Sequence, residues 1–368
     1  MTDEPPPTLD ALIAWATTLR EAERFDAARE VYRNATRAYP DSARAWQHFG
    51  ALSGQLGHLG EAEAALRRAL ELVPADAATR YTLAGVLMTQ GDYAEAWSFY
   101  AARFDLPDLN IHRPPNFPYP QWRSWHAGGK QVLVFPEQGA GDQIQFVRFV
   151  PLLVEQGAHV TLLAPRPLYR LFSDSFPQAR VIAAEGSVEF PDPDFWVASA
   201  DLPGLTGATL ETLPRPPYLH TTAVWPALPP GFKIGLATRG NPKLTQDRRR
   251  SLPNALVERL KRDLPGQVVS LHPEDSGAGD YADTAAIIAQ LDLVVSVDTS
   301  VAHLAGALGK PCHLLVREFA ADWRWMRGRD DSPWYPNTRL YRGGMDGDWS
   351  GAIERLVGDV RAFAAAPA

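Results

Sequence analysis

Three loops of this chain place polar or charged side chains directly after a short apolar run typical of a buried strand. The first loop, residues 136–143, reads PEQGAGDQ and follows the run QVLVF. Its glycines let the backbone approach a ligand, and the helix that begins there offers unpaired amides and a positive dipole end. Asp142 at this helix start either caps the helix or, as a general base, accepts a proton from an attacking acceptor group. The two roles are compatible.

The second loop follows the run FKIGLAT and is strongly basic. It begins with Arg239, Asn241 and Lys243 and continues through an arginine run, 248–250, to Ser251. Cations beside an asparagine and a serine, at the carboxyl end of a predicted strand, suit a diphosphate. The alternative is a solvated basic loop, and the position after a strand favours phosphate contact.

The third loop follows LVVSV and opens an apolar helical stretch. Asp298, Thr299 and Ser300 lie at this strand-to-helix turn, where Thr299 or Ser300 is able to cap the helix. Backbone amides and hydroxyls at such a turn bind the phosphates of a nucleotide. His303 follows one turn later, where a lone helical histidine is more often structural than a ligand.

The elements that carry these loops alternate between apolar runs and helical stretches from Lys130 onward. Such alternation predicts parallel sheets with helices on both faces. A proline-rich passage, 213–231, interrupts the pattern before it restarts at FKIGLAT. We therefore expect two Rossmann-like domains that face each other across a cleft. Ligands of such sheets bind beyond the carboxyl ends of the strands, where all three loops fall.

The first hundred residues contain an internal repeat with a period of 34 residues. Its first position holds Leu9, Ala43 and Ala77; its eighth position is always small, with Ala16, Gly50 and Ala84. This pattern resembles the tetratricopeptide repeat, in which small residues let two helices of a hairpin approach closely; the alternative is a helical bundle with an accidental period. Stacked hairpins of this kind leave a concave groove that commonly binds peptides.

The composition limits the class of protein further. Of 368 residues, 45% are hydrophobic and 21% charged, with a net charge of −7, which argues against a dedicated nucleic-acid binder. No apolar run is long enough to span a membrane, and the acidic, proline-rich start lacks a secretory pattern. The single cysteine, Cys312, excludes an internal disulfide or a cysteine-based zinc site, so we expect a cytoplasmic protein.

The order and spacing of the three loops resemble bacterial tetratricopeptide-repeat proteins whose C-terminal half is related to glycosyltransferase family nine, the heptosyltransferase family. EQGAGDQIQFVRFVPLL is similar to that family's first loop and helix, and GNPKLTQDRRRSLP to its central motif. DTSVAHLAGALGKP resembles its donor-binding turn, and ADWRWMRGRDDSPWYP the following stretch in repeat-bearing members. The resemblance runs from about Leu9 to Trp349. At Arg239, Leu244 and Gln246 this chain departs from the residues usual in related proteins.

The resemblance implies an α/β fold of the GT-B type behind an all-α array of three repeats, with no obligatory metal and no cofactor beyond a nucleotide-sugar co-substrate. It makes Asp142 the catalytic base. The donor-binding residues that it implies are Gly139, Gly141, Gln143, Asn241, Lys243, Arg250, Ser251, Asp298, Thr299, Ser300 and His303. Gln138, Arg239, Trp323 and Arg324 are further candidates for substrate contact, although the DWRW stretch could equally pack the domain.

We expect a repeat array over 1–105 and a proline-rich connector over 106–128. A Rossmann-like acceptor-side domain follows over 129–230, then a nucleotide-sugar-binding domain over 231–368 whose final helix crosses back. The leading hypothesis is an inverting, metal-independent transferase that glycosylates a protein or peptide bound by the repeats. Two alternatives stay open: a non-catalytic scaffold with a degenerate transferase domain, and a transferase acting on a lipopolysaccharide-type glycan.

Overall fold

The computed structural model describes residues 7–109, 111–240, 247 and 250–366. The chain divides into two compact units. The first, here called the repeat unit, comprises Met1–Leu109 and Glu318–Gly328; the second, the α/β unit, comprises Asn110–Arg317 and Arg329–Ala368. None of the helices in the described part of the chain combines the length and the apolar character that crossing a bilayer requires.

The repeat unit contains three helical hairpins. Their helices are α1 (Leu9–Glu21), α2 (Phe25–Ala38), α3 (Ala43–Gln55), α4 (Leu59–Leu72), α5 (Ala77–Gln90) and α6 (Tyr93–Tyr100), which continues as a 3₁₀ turn, Ala101–Asp105. The first helix of every hairpin begins at the first position of the sequence repeat. The residue before it accepts a hydrogen bond from a backbone amide three residues on: Thr8, Ser42 and Asp76 are these caps. The period of 34 therefore sets the helix starts.

Close packing within the hairpins explains the small eighth position of the repeat. A Cβ atom added to Gly50 would lie 2.7 Å from Leu66 Cγ and 3.1 Å from the carbonyl oxygen of Ala62. Ala16 and Ala84, at the same position of the other repeats, are fully buried. A larger side chain would push the two helices of the hairpin apart.

The α/β unit begins with a four-stranded parallel sheet in the order β3-β2-β1-β4. Its strands are β1 (Gln131–Phe135), β2 (His159–Ala164), β3 (Arg180–Ala183) and β4 (Phe195–Ala198). Its helices are α7 (Ala140–Phe146), α8 (Val150–Glu155), α9 (Arg166–Ser175) and α10 (Leu202–Leu205). A 3₁₀ turn at Val147–Phe149 joins α7 to α8.

A second parallel sheet follows, with five strands in the order β6-β5-β7-β8-β9. The strands are β5 (Lys233–Ala237), β6 (Gln267–Ser270), β7 (Leu293–Val297), β8 (Cys312–Val316) and β9 (Thr338–Arg342). The helices are α11 (Asn254–Asp263), α12 (Pro273–Ser276), α13 (Tyr281–Ala289), α14 (Ser300–Ala307) and α15 (Ser350–Ala365). The chain is therefore a helical repeat array followed by a parallel-sheet α/β domain, as the sequence predicts; β9 was not anticipated.

The structure corrects two predictions, one about the final helix and one about the proline-rich connector. The final helix, α15, does not cross back onto the first sheet; Ile353 and Leu356 bury its apolar face in a core with Leu260 of α11 and Tyr341 of β9. The expected connector is partly integrated into the α/β unit, because the buried Trp122 donates its backbone amide to the Trp196 carbonyl of β4 at 2.7 Å. Apolar side chains at these positions gain more from burial than from exposure in a linker.

A buried histidine gives the second sheet a pH-dependent stability. His313 of β8 is 8% exposed, and its Nδ1 lies 3.0 Å from the hydroxyl of Tyr341, which donates to Asp359. Burial lowers the pKa of His313 from 6.5 to about 4. The folded state therefore excludes a proton that the unfolded chain binds below pH 6.5, so this contribution to stability is present above pH 6.5 and is lost as the pH falls toward 4.

We predict that acidification through this window destabilises the native protein more than a His313→Gln variant. The expected difference between their losses in free energy of unfolding is roughly 2 to 3 kcal/mol. Denaturant titrations at pH 7, 5.5 and 4.5 measure it, with the exposed His126→Gln as the matched control. Parallel losses in the native and His313→Gln proteins would rule out this titration.

Candidate functional site

The first and third sequence loops meet where α7 packs against α14. A Cβ atom added to Gly141 of α7 would lie 2.8 Å from His303 Cδ2 and 3.4 Å from Ser300 Cα. Only a glycine permits this approach without a shift of the neighbouring helix. The contact brings the loop after β1 and the turn after β7 together, so that the start of α7, which carries Asp142, lies beside the start of α14.

Asp142 caps its own helix. Its Oδ2 accepts a hydrogen bond from the backbone amide of Gly139 at 3.0 Å, and its side chain is half-buried. The residue before this glycine, Gln138, has a φ of +64°, and its side-chain amide donates to the buried Glu137 at 3.2 Å. Hydrogen bonds of both of these side chains thus hold the loop in an unusual turn.

Gln143 supports the loop from within. Its side chain is 4% exposed and its Nε2 donates to the carbonyl oxygen of Gln138 at 3.2 Å. The same side chain lines a small internal cavity together with Val134 and Ser199. We expected Gln143 to contact the donor, but its side chain faces the interior because its amide satisfies the loop carbonyl.

The turn after β7 offers donors that an anion could use. Thr299 is the N-cap of α14, and its side chain makes no capping hydrogen bond. Its hydroxyl instead lies 3.3 Å from that of Ser296. Ser300 accepts a hydrogen bond from the Tyr281 hydroxyl at 2.7 Å, and burial raises the pKa of that tyrosine. The Ser300 hydroxyl and the first amides of α14 therefore lie at a helix N-terminus, where negative charge is favoured.

His303 is buried between the two helices and a loop. It is 6% exposed, and its Nδ1 lies 2.9 Å from the hydroxyl of Tyr335. The opposite edge of the ring faces the Gly141 backbone. These contacts give His303 a packing role in addition to the donor contact that the resemblance implies.

The central basic loop is organised by a residue that we did not single out from the sequence, Asp247. This carboxylate is 5% exposed. Its Oδ1 accepts from Arg250 Nε at 2.8 Å and its Oδ2 accepts from the Ser251 hydroxyl at 2.7 Å. Arg250 Nη1 also donates to the carbonyl oxygen of Asp298 at 3.0 Å, which ties the second loop to the third. The sequence signal for this role is the acidic residue Asp247 directly before the arginine run 248–250.

The other residues that we singled out in the central loop are Asn241, Lys243 and Arg239. Asn241 and Lys243 lie outside the described residues. Arg239, expected to contact substrate, forms an ion pair with Glu274 of α12. Next to it, the Thr238 amide donates to His272 Nε2 at 3.1 Å, and burial lowers the pKa of His272.

Trp323 and Arg324 belong to the repeat unit. The Trp323 ring lies edge-on to Tyr93 and Trp97, with centroid distances of 5.9 and 6.0 Å. The guanidinium of Arg324 lies 4.3 Å from the Trp323 ring centre and forms an ion pair with Asp322. Packing therefore accounts for both side chains, and the reading in which they stack on a base or sugar is not supported by these contacts.

A buried arginine connects the two sheets of the α/β unit close to this site. Arg148, just after α7, is 1% exposed. It donates to the carbonyl oxygens of Trp334 at 3.0 Å and Pro214 at 3.3 Å, and to the hydroxyl of Tyr218 at 2.9 Å. The faces of Tyr218 and Tyr335 lie 4.5 and 4.8 Å from its guanidinium carbon. The two halves are thus joined by a buried guanidinium that makes several hydrogen bonds and packs against aromatic rings.

The fold and the site together define a class: a helical repeat array joined to an α/β unit with a polar site at the carboxyl ends of its strands. Comparison with known families gives the same division. Tetratricopeptide repeat models match residues 9–52 and 54–102. The model of glycosyltransferase family 9 (heptosyltransferase) matches residues 252–313. Tetratricopeptide repeats are thus matched in the helical array, and glycosyltransferase family 9 is matched within the second sheet of the α/β unit.

Individual proteins and solved structures are also similar to this chain. Protein FlbA of Caulobacter vibrioides is 28% identical over 436 aligned positions, which cover 95% of this chain and 72% of FlbA. Among solved structures, the dodecameric iron-containing glycosyltransferase TibC of enterotoxigenic E. coli matches with a TM-score of 0.41 and 11% identity, over 52% of this chain and 59% of TibC. A glycosyl transferase family 9 protein of Veillonella parvula matches with a TM-score of 0.41 and 11% identity, over 63% of this chain and 90% of its own.

The contact between α7 and α14 generates a test that needs no substrate. A Gly141→Ala substitution places a methyl group against His303 and Ser300, and we predict a loss of roughly 1 to 3 kcal/mol in the free energy of unfolding of the α/β unit. Gly358→Ala in α15 is the matched control, because a Cβ there meets nothing within 4 Å. Equal stability of Gly141→Ala and the native protein in denaturant titrations would show that the two helices do not need this approach.

Proposed function

We propose that the α/β unit transfers a sugar from a nucleotide-sugar to a protein or peptide acceptor, with inversion and without a metal ion. The observation that supports this most is the approach of Gly141 to Ser300 and His303. It places a carboxylate, Asp142, beside a helix N-terminus that can accept a diphosphate. A base and an anion site at one cleft are the parts that sugar transfer requires.

In the proposed reaction the acceptor atom attacks the anomeric carbon while the bond between that carbon and the diphosphate oxygen breaks. The acceptor proton passes to Asp142, and the bonding electrons leave with the nucleoside diphosphate. One displacement on the face opposite the leaving group inverts the configuration. The hydrogen bond from the Gly139 amide to Oδ2 fixes the position of the carboxylate that accepts the proton.

The leaving group is stabilised by donors of the second half. The first amides of α14 and the hydroxyl of Ser300 supply hydrogen bonds, and the helix dipole favours the negative charge. Arg250 supports this region, since it joins the buried Asp247 to the Asp298 carbonyl. Fixed donors of this kind supply the charge stabilisation that a metal ion otherwise would, and these residues make a metal-independent reaction reasonable.

The repeat unit is proposed to bind the protein or peptide acceptor. Stacked helical hairpins commonly bind extended segments along the surface that their first helices form. Binding at such a surface tethers the acceptor to the chain that carries the α/β unit and so raises its effective concentration. The repeats themselves take no part in the transfer step.

Nucleotide binding is the first test. Thermal unfolding of the full chain is followed with ADP, UDP, GDP and their common sugar conjugates, and at least one is expected to raise the midpoint. Saturation at about 100 times the dissociation constant adds approximately 2.7 kcal/mol of stability. Absence of any shift would favour the scaffold hypothesis. Mass spectrometry of co-expressed proteins then tests the acceptor, and glycan labelling without protein labelling would favour a lipopolysaccharide-type acceptor.

The catalytic base is tested with Asp142→Asn. Asparagine retains an oxygen that can accept the Gly139 amide, so the loop is expected to stay folded while the base is lost. We predict that kcat falls by a factor of roughly 10² to 10⁴, while the nucleotide-induced thermal shift persists. The exposed Glu354→Gln is the matched control for a change from carboxylate to amide. Unchanged kcat in Asp142→Asn would assign Asp142 to capping alone.

A further inference from the structure

The segment Glu318–Gly328, here called the inserted segment, lies between β8 and β9 in the sequence but belongs to the repeat unit. The chain therefore crosses between the two units three times, after Leu109, after Arg317 and after Gly328. A repeat array that is only appended to an enzyme needs one crossing. The extra two make the inserted segment a structural part of the array.

The inserted segment contacts the first and second repeats. Phe319 stacks on Phe25, the first residue of α2, with a centroid distance of 4.1 Å. The carbonyl oxygen of Gln55, at the end of α3, accepts hydrogen bonds from the Ala320 amide at 3.0 Å and from Arg327 at 2.8 Å. An aromatic stack and a satisfied helix C-terminus are both specific, directional contacts.

The inserted segment also contacts the third repeat, and its two ends are joined to each other. Trp323 packs edge-on against Tyr93 and Trp97 at the start of α6. An ion pair between Glu318 and Arg327, at 2.6 Å, joins the two ends of the segment. Since Phe25 and Tyr93 occupy the same position of the repeat, the segment follows the turns between the two helices of successive hairpins.

The first end of the inserted segment begins at the edge of the second sheet that carries the candidate donor site. Val297 of β7 pairs with Leu315 of β8, so the next residues along, Asp298 and Val316, are level with each other. Arg317 alone separates Val316 from the segment.

The second end returns directly to the same sheet. The carbonyl oxygen of Arg329 accepts a hydrogen bond from Arg342 Nε at 3.1 Å, and that of Asp330 accepts from the Leu340 amide at 2.7 Å. Both acceptors immediately follow the segment, and both donors lie on β9. Neither end therefore has a long flexible connection to the sheet.

We propose that the inserted segment couples the repeat unit to the turn after β7, with Phe319 and Trp323 as positioning residues. Its aromatic side chains fix it in the array, and its short ends transmit any displacement to β8 and β9. Local stability of the array and of the Asp298–Ser300 turn is then linked. That this turn binds the donor rests on the function proposed above; the mechanical linkage does not.

Hydrogen exchange of the full-length protein tests the linkage without any ligand. In Trp323→Ala, amides of α2, α6 and the inserted segment should exchange faster. The decisive amides are those of Leu315, Val316 and residues 298–300, for which we expect acceleration of about tenfold, the factor that roughly 1.4 kcal/mol produces. Amides of β1 and β2 in the first sheet should be unchanged. Acceleration confined to the repeat unit would overturn the proposal, and so would equal acceleration throughout the chain.

Matched variants separate positioning from general packing. Trp15→Ala removes a tryptophan of the same unit that is 57% exposed, and it should leave exchange at residues 298–300 unchanged. Trp323→Phe keeps an aromatic edge against Tyr93 and should restore most of the native protection. Phe319→Leu is a milder change should Trp323→Ala not fold, with the same distal acceleration expected. Failure of every nucleotide to bind would contradict the proposed function while leaving this result interpretable.

Discussion

The site of the α/β unit depends on the close approach of its two halves, and the buried guanidinium of Arg148 maintains that approach. Three backbone carbonyls and one tyrosine hydroxyl accept its hydrogen bonds, and aromatic rings cover its faces. Removing such a group would leave several buried acceptors unsatisfied, which costs more than any single bond contributes. With this connection in place, Gly141 of α7 lies against His303 and Ser300 of α14, and the two loops are adjacent.

Most polar residues near that cleft hold one another in position. Asp247 binds Arg250 and Ser251, and Gln143 binds the loop that Asp142 caps. This arrangement is expected of a site that must present charge without reorganising, because preorganised donors stabilise developing charge more effectively than mobile ones. A side chain bonded to a neighbour in this way fixes the geometry of the loop that carries it.

The repeat unit includes a segment that the chain contributes from between two strands of the second sheet. Glu318–Gly328 packs against all three hairpins, so the array is built from two segments that lie far apart in the sequence. Truncation of the N-terminal repeats would expose Trp323 and its aromatic neighbours as well as removing the surface proposed to bind the acceptor. A deletion is therefore a poor probe of acceptor recognition, and single substitutions are more informative.

The sequence by itself determined the elements whose signals are local. The 34-residue period set the helix starts of the repeats, because capping residues and small contact positions recur with it, and apolar runs located most strands of both sheets. It also identified the loops that converge, since carboxyl ends of parallel strands share an edge. Only the tertiary structure decided the partners of Asp247, the inward direction of Gln143 and the place of Trp323 in the repeat unit. Those outcomes depend on contacts between residues far apart in the chain, and no local pattern encodes which distant group will desolvate a given side chain.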